Sequence, residues 1–200
     1  MSQQCTLPGS ETMTSIVRIA TSNGGNASGV VIGKDRVLTV AHAVDEGAEM
    51  MIRYSGDTHQ AEVLALNIKN DLALLAADTG SLEPIMLTDG KLKRLEQVWA
   101  VGFPLALEQK LTIGLFQTIN NGRLYTTTHV NTGNSGGGLL RCKDGAFELA
   151  GIVHGYVAYL DGGSYINIGD STSVPATQIE SFLQGAEFRK AYISAVGRTE

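Results

Sequence analysis

The sequence predicts an all-β domain, a barrel or sandwich followed by a C-terminal helix, and three observations carry that reading. Short apolar or alternating runs separated by Gly, Asn and Asp recur from Ser15 to Val174, which is the pattern of many short strands joined by tight turns. Glycine supplies 24 of the 200 residues, well above the usual share of roughly 7%. With only four Pro and 43% hydrophobic residues, that excess belongs to a turn-rich folded chain and excludes collagen-like or low-complexity architecture. The chief helical spacing of apolar residues comes at the end. A chain of this length buries a core without needing metals or cross-links.

Taken in order, strands are predicted at Ser15–Ser22, Ser28–Ile32 and Arg36–Val40, all rich in β-branched residues. Glu49–Tyr54 and His59–Asn67 follow as a hairpin around Ser55-Gly56-Asp57, because Gly and Asp tolerate the positive φ of such turns. Leu72–Ala76 is a short apolar run. The charged stretch Thr88–Glu96 then interrupts the pattern and reads as a connector between two halves, although no sequence repeat marks a duplication. Beyond it come Gln97–Val101, Leu111–Gln117, Leu124–Thr128, Gly138–Arg141, Phe147–Val157 and Ser164–Ser171, with a second hairpin turn at Lys143-Asp144-Gly145. Val174-Pro175-Ala176-Thr177 leads into the helix. Pro is favoured at a helix start, and Ile179, Phe182, Leu183, Phe188 and Tyr192 recur at helical spacing, with Gly185 as a candidate break.

Fifteen Lys and Arg against twenty Asp and Glu leave a net charge of −5, so no global basic field exists to hold nucleic acid or an anionic membrane. No apolar run approaches the roughly 18 residues that cross a bilayer, and the first fifteen positions are polar and unlike a secretory leader. Cys5 and Cys142 stand far apart and define no disulfide framework. They read as free thiols, which favours a reducing compartment: either the chain stays in the cytoplasm, where it is made, or a leader has been removed, and no nucleic-acid or membrane partner is expected.

Chemistry concentrates in three segments. In Gly133-Asn134-Ser135-Gly136-Gly137-Gly138, a Ser between glycines can sit on a turn whose amides face one side, as a carbonyl oxygen becoming an anion requires. The amides of Gly133 and Ser135 are the candidate donors, though an ordinary glycine-rich or phosphate-binding turn reads the same way by itself. A hydroxyl needs a base of pKa near 7 within reach. His42, in Ala41-His42-Ala43-Val44 at the end of a strand, fits that role, against the alternative of a structural histidine. Asp71, directly before Leu72, can accept from the ring, fix its tautomer and stabilise the imidazolium; a surface Asp capping a strand is the bland alternative.

TVAHAV, NDLALL and GNSGG, in the order His, Asp, Ser, resemble the signature segments of the chymotrypsin-like (trypsin-fold) serine proteases over about Ser15 to Phe182. The resemblance implies that superfamily's known division of labour: Ser135 as nucleophile, His42 as general base and acid, Asp71 as orienting carboxylate, and the amides of Gly133 and Ser135 as oxyanion hole. It implies two six-stranded antiparallel β-barrels with the site between them, about 15–88 and 97–174, with the final helix starting over 175–182. An N-terminal extension, 1–14, would precede this domain, and the rest of the helix and a tail, 183–200, would follow. The implied activity is that of a serine endopeptidase acting on peptide or protein substrates through an acyl-enzyme, without cofactor. A non-catalytic peptide-binding module and a latent or esterase-like serine hydrolase are the alternatives. Ala100-Val101-Gly102-Phe103-Pro104, Thr172-Ser173-Val174-Pro175-Ala176 and the short separations within the triad look closest to the HtrA/Deg-type proteases. Those usually append a PDZ domain, for which the stretch from Ala176 to Glu200 has no room, so their cage-like oligomers are not implied and oligomerisation stays open. Asn134 stands where trypsin-type zymogens usually carry an Asp, which implies no switch by a newly cut N-terminus.

In that family the primary specificity pocket is walled by the segment before the nucleophile and by a later strand. This places Thr128, His129, Val130, Thr132, Val153, His154, Gly155 and Tyr156 as candidate substrate-binding residues. No Asp stands in the pocket-base region, which argues against a Lys or Arg preference. His129 and His154 leave two readings open, a pocket for an acidic or amide side chain, or packing histidines beside a small apolar pocket. His59 reads as a solvated strand residue. No two histidines stand at i, i+4 on a helix and no Cys-x-x-Cys exists, so no metal site is expected.

Overall fold

A computed structural model describes residues 5–45 and 47–196, with side chains as far as residue 186. A one-turn helix, α1 (Ser10–Thr14), leads into strands β1 (Ile16–Thr21), β2 (Asn26–Gly33), β3 (Arg36–Thr39), β4 (Met50–Tyr54), β5 (Asp57–Asn67) and β6 (Leu72–Ala77). The connector follows, then β7 (Gln97–Gly102), β8 (Lys110–Asn120), β9 (Arg123–Thr126), β10 (Gly138–Lys143), β11 (Ala146–Asp161), β12 (Ser164–Pro175) and helix α2 (Ala176–Val196). Each strand predicted from sequence falls on one of these. The short α1 was not foreseen.

The first six strands pair antiparallel in the order β1-β2-β3-β6-β5-β4, and β4 returns to β1. The last six pair in the order β10-β11-β12-β9-β8-β7, and β7 returns to β10. Because side chains alternate across a strand, each sheet sorts its apolar residues by parity. Val17, Ile19, Val31, Val37, Ile52 and Leu75 fill the first barrel, and Val98, Ala100, Phe116, Leu124, Leu139 and Val153 fill the second. The opposite faces carry Ile16, Val30, Leu38, Leu74, Trp99, Val101, Leu140 and Ile152, which meet in a third buried cluster. These strands are therefore apolar on both faces, which is why several read as continuous runs rather than alternating ones.

The two hairpin turns form as the sequence suggests, with positive φ at Ser55 and Gly56 and at Asp144 and Gly145. Helix α2 inserts Ile179 and Phe182 into the third cluster. It runs on past residue 183, as expected, and through the candidate break at Gly185 without interruption; a lone Gly costs only about 1 kcal/mol against Ala in a helix. The side chains of Phe188 and Tyr192 lie outside the described residues. Among the described residues no helix is long and apolar enough to cross a membrane.

The reading of two free thiols is corrected. Cys5 and Cys142 form a disulfide, with Cα atoms 5.8 Å apart and 137 residues between them in sequence. The strand order carries the end of β10 to the place where the N-terminal segment passes, a proximity that sequence distance conceals. Nearby, Arg141 of β10 pairs with Glu96 of the connector at 2.7 Å, both side chains largely buried.

Candidate active site

Three loops meet between the barrels. His42 lies in a 3-10 turn (Ala41–Ala43) just beyond β3, and Asp71 closes the turn between β5 and β6. Since β3 and β6 are paired, with Thr39 opposite Ala73, the end of one strand and the start of the other lie side by side. Asp71 takes a left-handed backbone, φ 59°, which Asp tolerates better than most side chains. The Asn67 side chain accepts from the Asn70 N–H and shapes the same turn, and Arg123 of the other barrel donates to the Asn70 carbonyl.

The Asp71 carboxylate is the hub. Its Oδ1 accepts the backbone N–H of His42 at 2.9 Å, and its Oδ2 lies 2.8 Å from His42 Nδ1. Burial by itself would raise the Asp71 carboxyl. The hydrogen bonds from the His42 ring and backbone, with charge on His42 and His154, outweigh burial and hold the group below the ordinary carboxylate value.

Ser135 sits between β9 and β10 on the glycine-rich turn, which barrel one grips through Ser28. The fully buried Ser28 donates its N–H to the Ser135 carbonyl at 2.8 Å and its hydroxyl to the Gly133 carbonyl at 2.7 Å, while its hydroxyl accepts from the Phe103 N–H. Gly133 has φ +95°, and a Cβ there would meet the Phe103 carbonyl oxygen at 2.5 Å, so the turn needs Gly. The Asn134 N–H is used by Asn131 and the Gly136 N–H by Val153. Among the described residues the amides of Gly133 and Ser135 donate to no protein acceptor, and both residues line a cleft of about 360 Å³ together with His42 and Thr132. The Ser135 hydroxyl donates to the His154 carbonyl at 3.0 Å; no hydrogen bond joins it to His42.

The pocket candidates divide. His129, Val130 and Asn131 border a second cavity of about 310 Å³, His129 being exposed there. Thr128 is fully buried, its hydroxyl engaged with Thr126 and Ser171, and Val153 is buried in the second barrel's core. Gly155 and Tyr156 continue β11 past the end of its pairing with β10. His154 is placed differently from the expectation. Its Nε2 lies 3.3 Å from Asp71 Oδ2, its Nδ1 lies 3.3 Å from Thr172 Oγ1, and its ring meets that of His42 edge-on with centroids 5.6 Å apart. The pairing of β11 with β12 is irregular between Val153 and Gly155, and such a bulge re-aims a side chain, here His154 toward Asp71. Burial lowers the His154 pKa, with Arg123 and His42 adding to the effect and Asp71 opposing it. His59, expected to be solvated, stacks on Tyr54 at 4.7 Å. Two further parts escaped the sequence reading. Ser28 is signalled only as a polar residue in an apolar strand, and the contact between His154 and Asp71 depends on strand register across two barrels.

A family model for the trypsin-like peptidase domain matches residues 27–152. A probable periplasmic serine endoprotease, DegP-like, of Halomonas elongata is 32% identical over 139 residues, 64% of this chain and 28% of that protein. Serine protease HTRA1 of Xenopus laevis is 26% identical over 83% of this chain and 37% of its own length. The chain thus spans only about a third of the length of these curated relatives. Among solved structures, the serine endoprotease from Yersinia pestis superposes with a TM-score of 0.75 at 21% identity, over 90% of this chain and 68% of the other. The HtrA-type protease AlgW with tripeptide gives 0.75 at 22% identity, over 88% and 60%.

Proposed function

From the premise that the chain belongs to the trypsin-like peptidase family, we propose that it is a serine endopeptidase whose catalytic unit covers residues 15–182. The observation that carries this reading is the coincidence, at one cleft, of the His42–Asp71 pair and a Ser135 flanked by two amides with no protein acceptor. Asp71 holds the Nδ1–H tautomer of His42, leaving Nε2 free to take a proton. On substrate binding the Ser135 hydroxyl leaves the His154 carbonyl, gives its proton to His42 Nε2 and attacks the carbonyl carbon. The resulting oxyanion is met by the N–H groups of Gly133 and Ser135. Collapse expels the amine, which takes the proton back from His42, and water then repeats the sequence to hydrolyse the acyl-enzyme. The substrate's chain runs beside Gly155 and Tyr156, where among the described residues no strand pairs with that edge of β11. Its side chain is accommodated near His129 and Val130.

The disulfide supports residence in an oxidising compartment, contrary to the cytoplasmic expectation. It accords with relatives that are named periplasmic. The experiment that tests the activity is covalent labelling by a fluorophosphonate together with cleavage of a peptide library. The native chain should be labelled, and Ser135→Ala should lose labelling and about 10⁶-fold in kcat. Absence of labelling in the native chain would overturn the proposal, and labelling without peptide cleavage would favour the esterase-like alternative.

A further inference from the structure

The side chain of His154 is not needed for the proton path just described, yet it completes a second arrangement at the same place. His42, Asp71 and His154 each offer one ligand atom, and these atoms all lie within 4.8 Å of one another, with Asp71 Oδ2 2.8 Å from His42 Nδ1 and 3.3 Å from His154 Nε2. Two imidazole nitrogens and one carboxylate oxygen make a protein ligand set typical of zinc that keeps a fourth position open. The carboxylate is only 11% exposed, but the His42 and His154 side chains are 49% and 39% exposed, so an ion can enter from solvent and hold water as a fourth ligand. Outer contacts also suit the metal. Thr172 Oγ1 beside His154 Nδ1 can accept that nitrogen's proton while its own hydroxyl turns to the Gly155 carbonyl. The Nε2 lone pair then faces Asp71, and such second contacts fix the tautomer of metal-binding histidines.

We propose that His42, Asp71 and His154 form a regulatory binding site for a divalent transition-metal ion of the zinc type, and that the bound ion silences Ser135. Silencing follows from counting protons. Neutral His42 carries one ring proton, which the hydrolytic mechanism needs on Nδ1. When Nδ1 gives its lone pair to the ion, that proton moves to Nε2, the nitrogen that has to accept from Ser135. The ring can then no longer act as base, and the Asp71 oxygen that oriented it is itself a ligand. No proton is lost and no oxidation occurs, so removing the ion restores the original tautomer. His154 is the ligand this arrangement adds to the pair used for hydrolysis. The binding step stands on the geometry alone, whereas the silencing step rests on the serine-hydrolase reading.

The test uses the whole chain with Zn²⁺ alone, titrated at neutral pH against a chromophoric chelator, and Co²⁺ absorption to report nitrogen and oxygen ligation. One ion per chain is expected. Removing an outer contact typically weakens metal affinity by roughly 10–100-fold, so loss of a direct ligand in His154→Ala or His154→Gln should weaken it by at least about 100-fold. The Gln variant keeps much of the size and hydrogen bonding should Ala disturb folding, and zinc should raise the Tm of the native chain but not that of His154→Gln. No bound ion, or affinity undiminished in both variants, overturns the site. In the second arm, zinc should block fluorophosphonate labelling of the native chain and a chelator should restore it; labelling that persists with the site saturated overturns the silencing. A chain that binds one ion through His154 but is never labelled would keep the metal site and refute the hydrolase.

Discussion

A Cβ built on Gly136 would lie 2.0 Å from the Ser28 carbonyl oxygen and 2.2 Å from Thr39 Oγ1, at φ +84°. Neither neighbour can retreat, since Thr39 donates to that same carbonyl. Gly136→Ala should therefore destabilise the fold by about 1–3 kcal/mol, the usual cost of overpacking, and displace Ser135 enough to abolish labelling; denaturant unfolding and the fluorophosphonate assay read the two effects. Asp71 makes a prediction in pH. Its folded pKa is depressed, so its contribution to stability is present above the unfolded value of about 3.9 and is lost as pH falls through the lower folded value. Unfolding measured with a metal chelator present should thus show an acid-dependent loss below about pH 4 that is smaller in Asp71→Asn. At this scale Ser135, His42 and Asp71 were legible because each is flagged by its immediate neighbours. Ser28 and His154 were not, because their significance lies in what faces them across the cleft.

Among the elements, β3 and β6 bring the His42 and Asp71 turns together, while the turn before β10 carries Ser135 and β11 carries His154, so the site depends on how the two barrels are held. The Arg141–Glu96 pair fastens β10 to the connector, with Arg141 also 3.4 Å from Thr88 Oγ1. Removing one partner leaves a buried charge uncompensated, a change that typically costs 3–5 kcal/mol. Glu96→Ala should lower stability by about that much in chemical denaturation, and a paired Glu96→Leu, Arg141→Met variant should recover most of it. The strands themselves were readable from apolar runs bounded by Gly, Asn and Asp. Gly185, a candidate break, leaves α2 continuous because local propensity carries little weight once Ile179 and Phe182 anchor the helix in the core.

For the whole molecule, the sequence contained no sign that Cys5 and Cys142 meet, since that proximity appears only once the strands have been wound. The Cys5–Cys142 bond closes a loop of 137 residues in sequence, and a cross-link of that span restricts the unfolded chain strongly. Cys5→Ser should cost about 2–4 kcal/mol, read as a lower midpoint in denaturant without reductant. The loop also encloses β1 through β9, and with them the connector between the barrels. Should the enzyme cut itself at any one bond inside that span, both pieces stay covalently joined. A nicked molecule would migrate as a full-length band until a reducing agent is added, so its age and damage become visible only when the gel is run both ways.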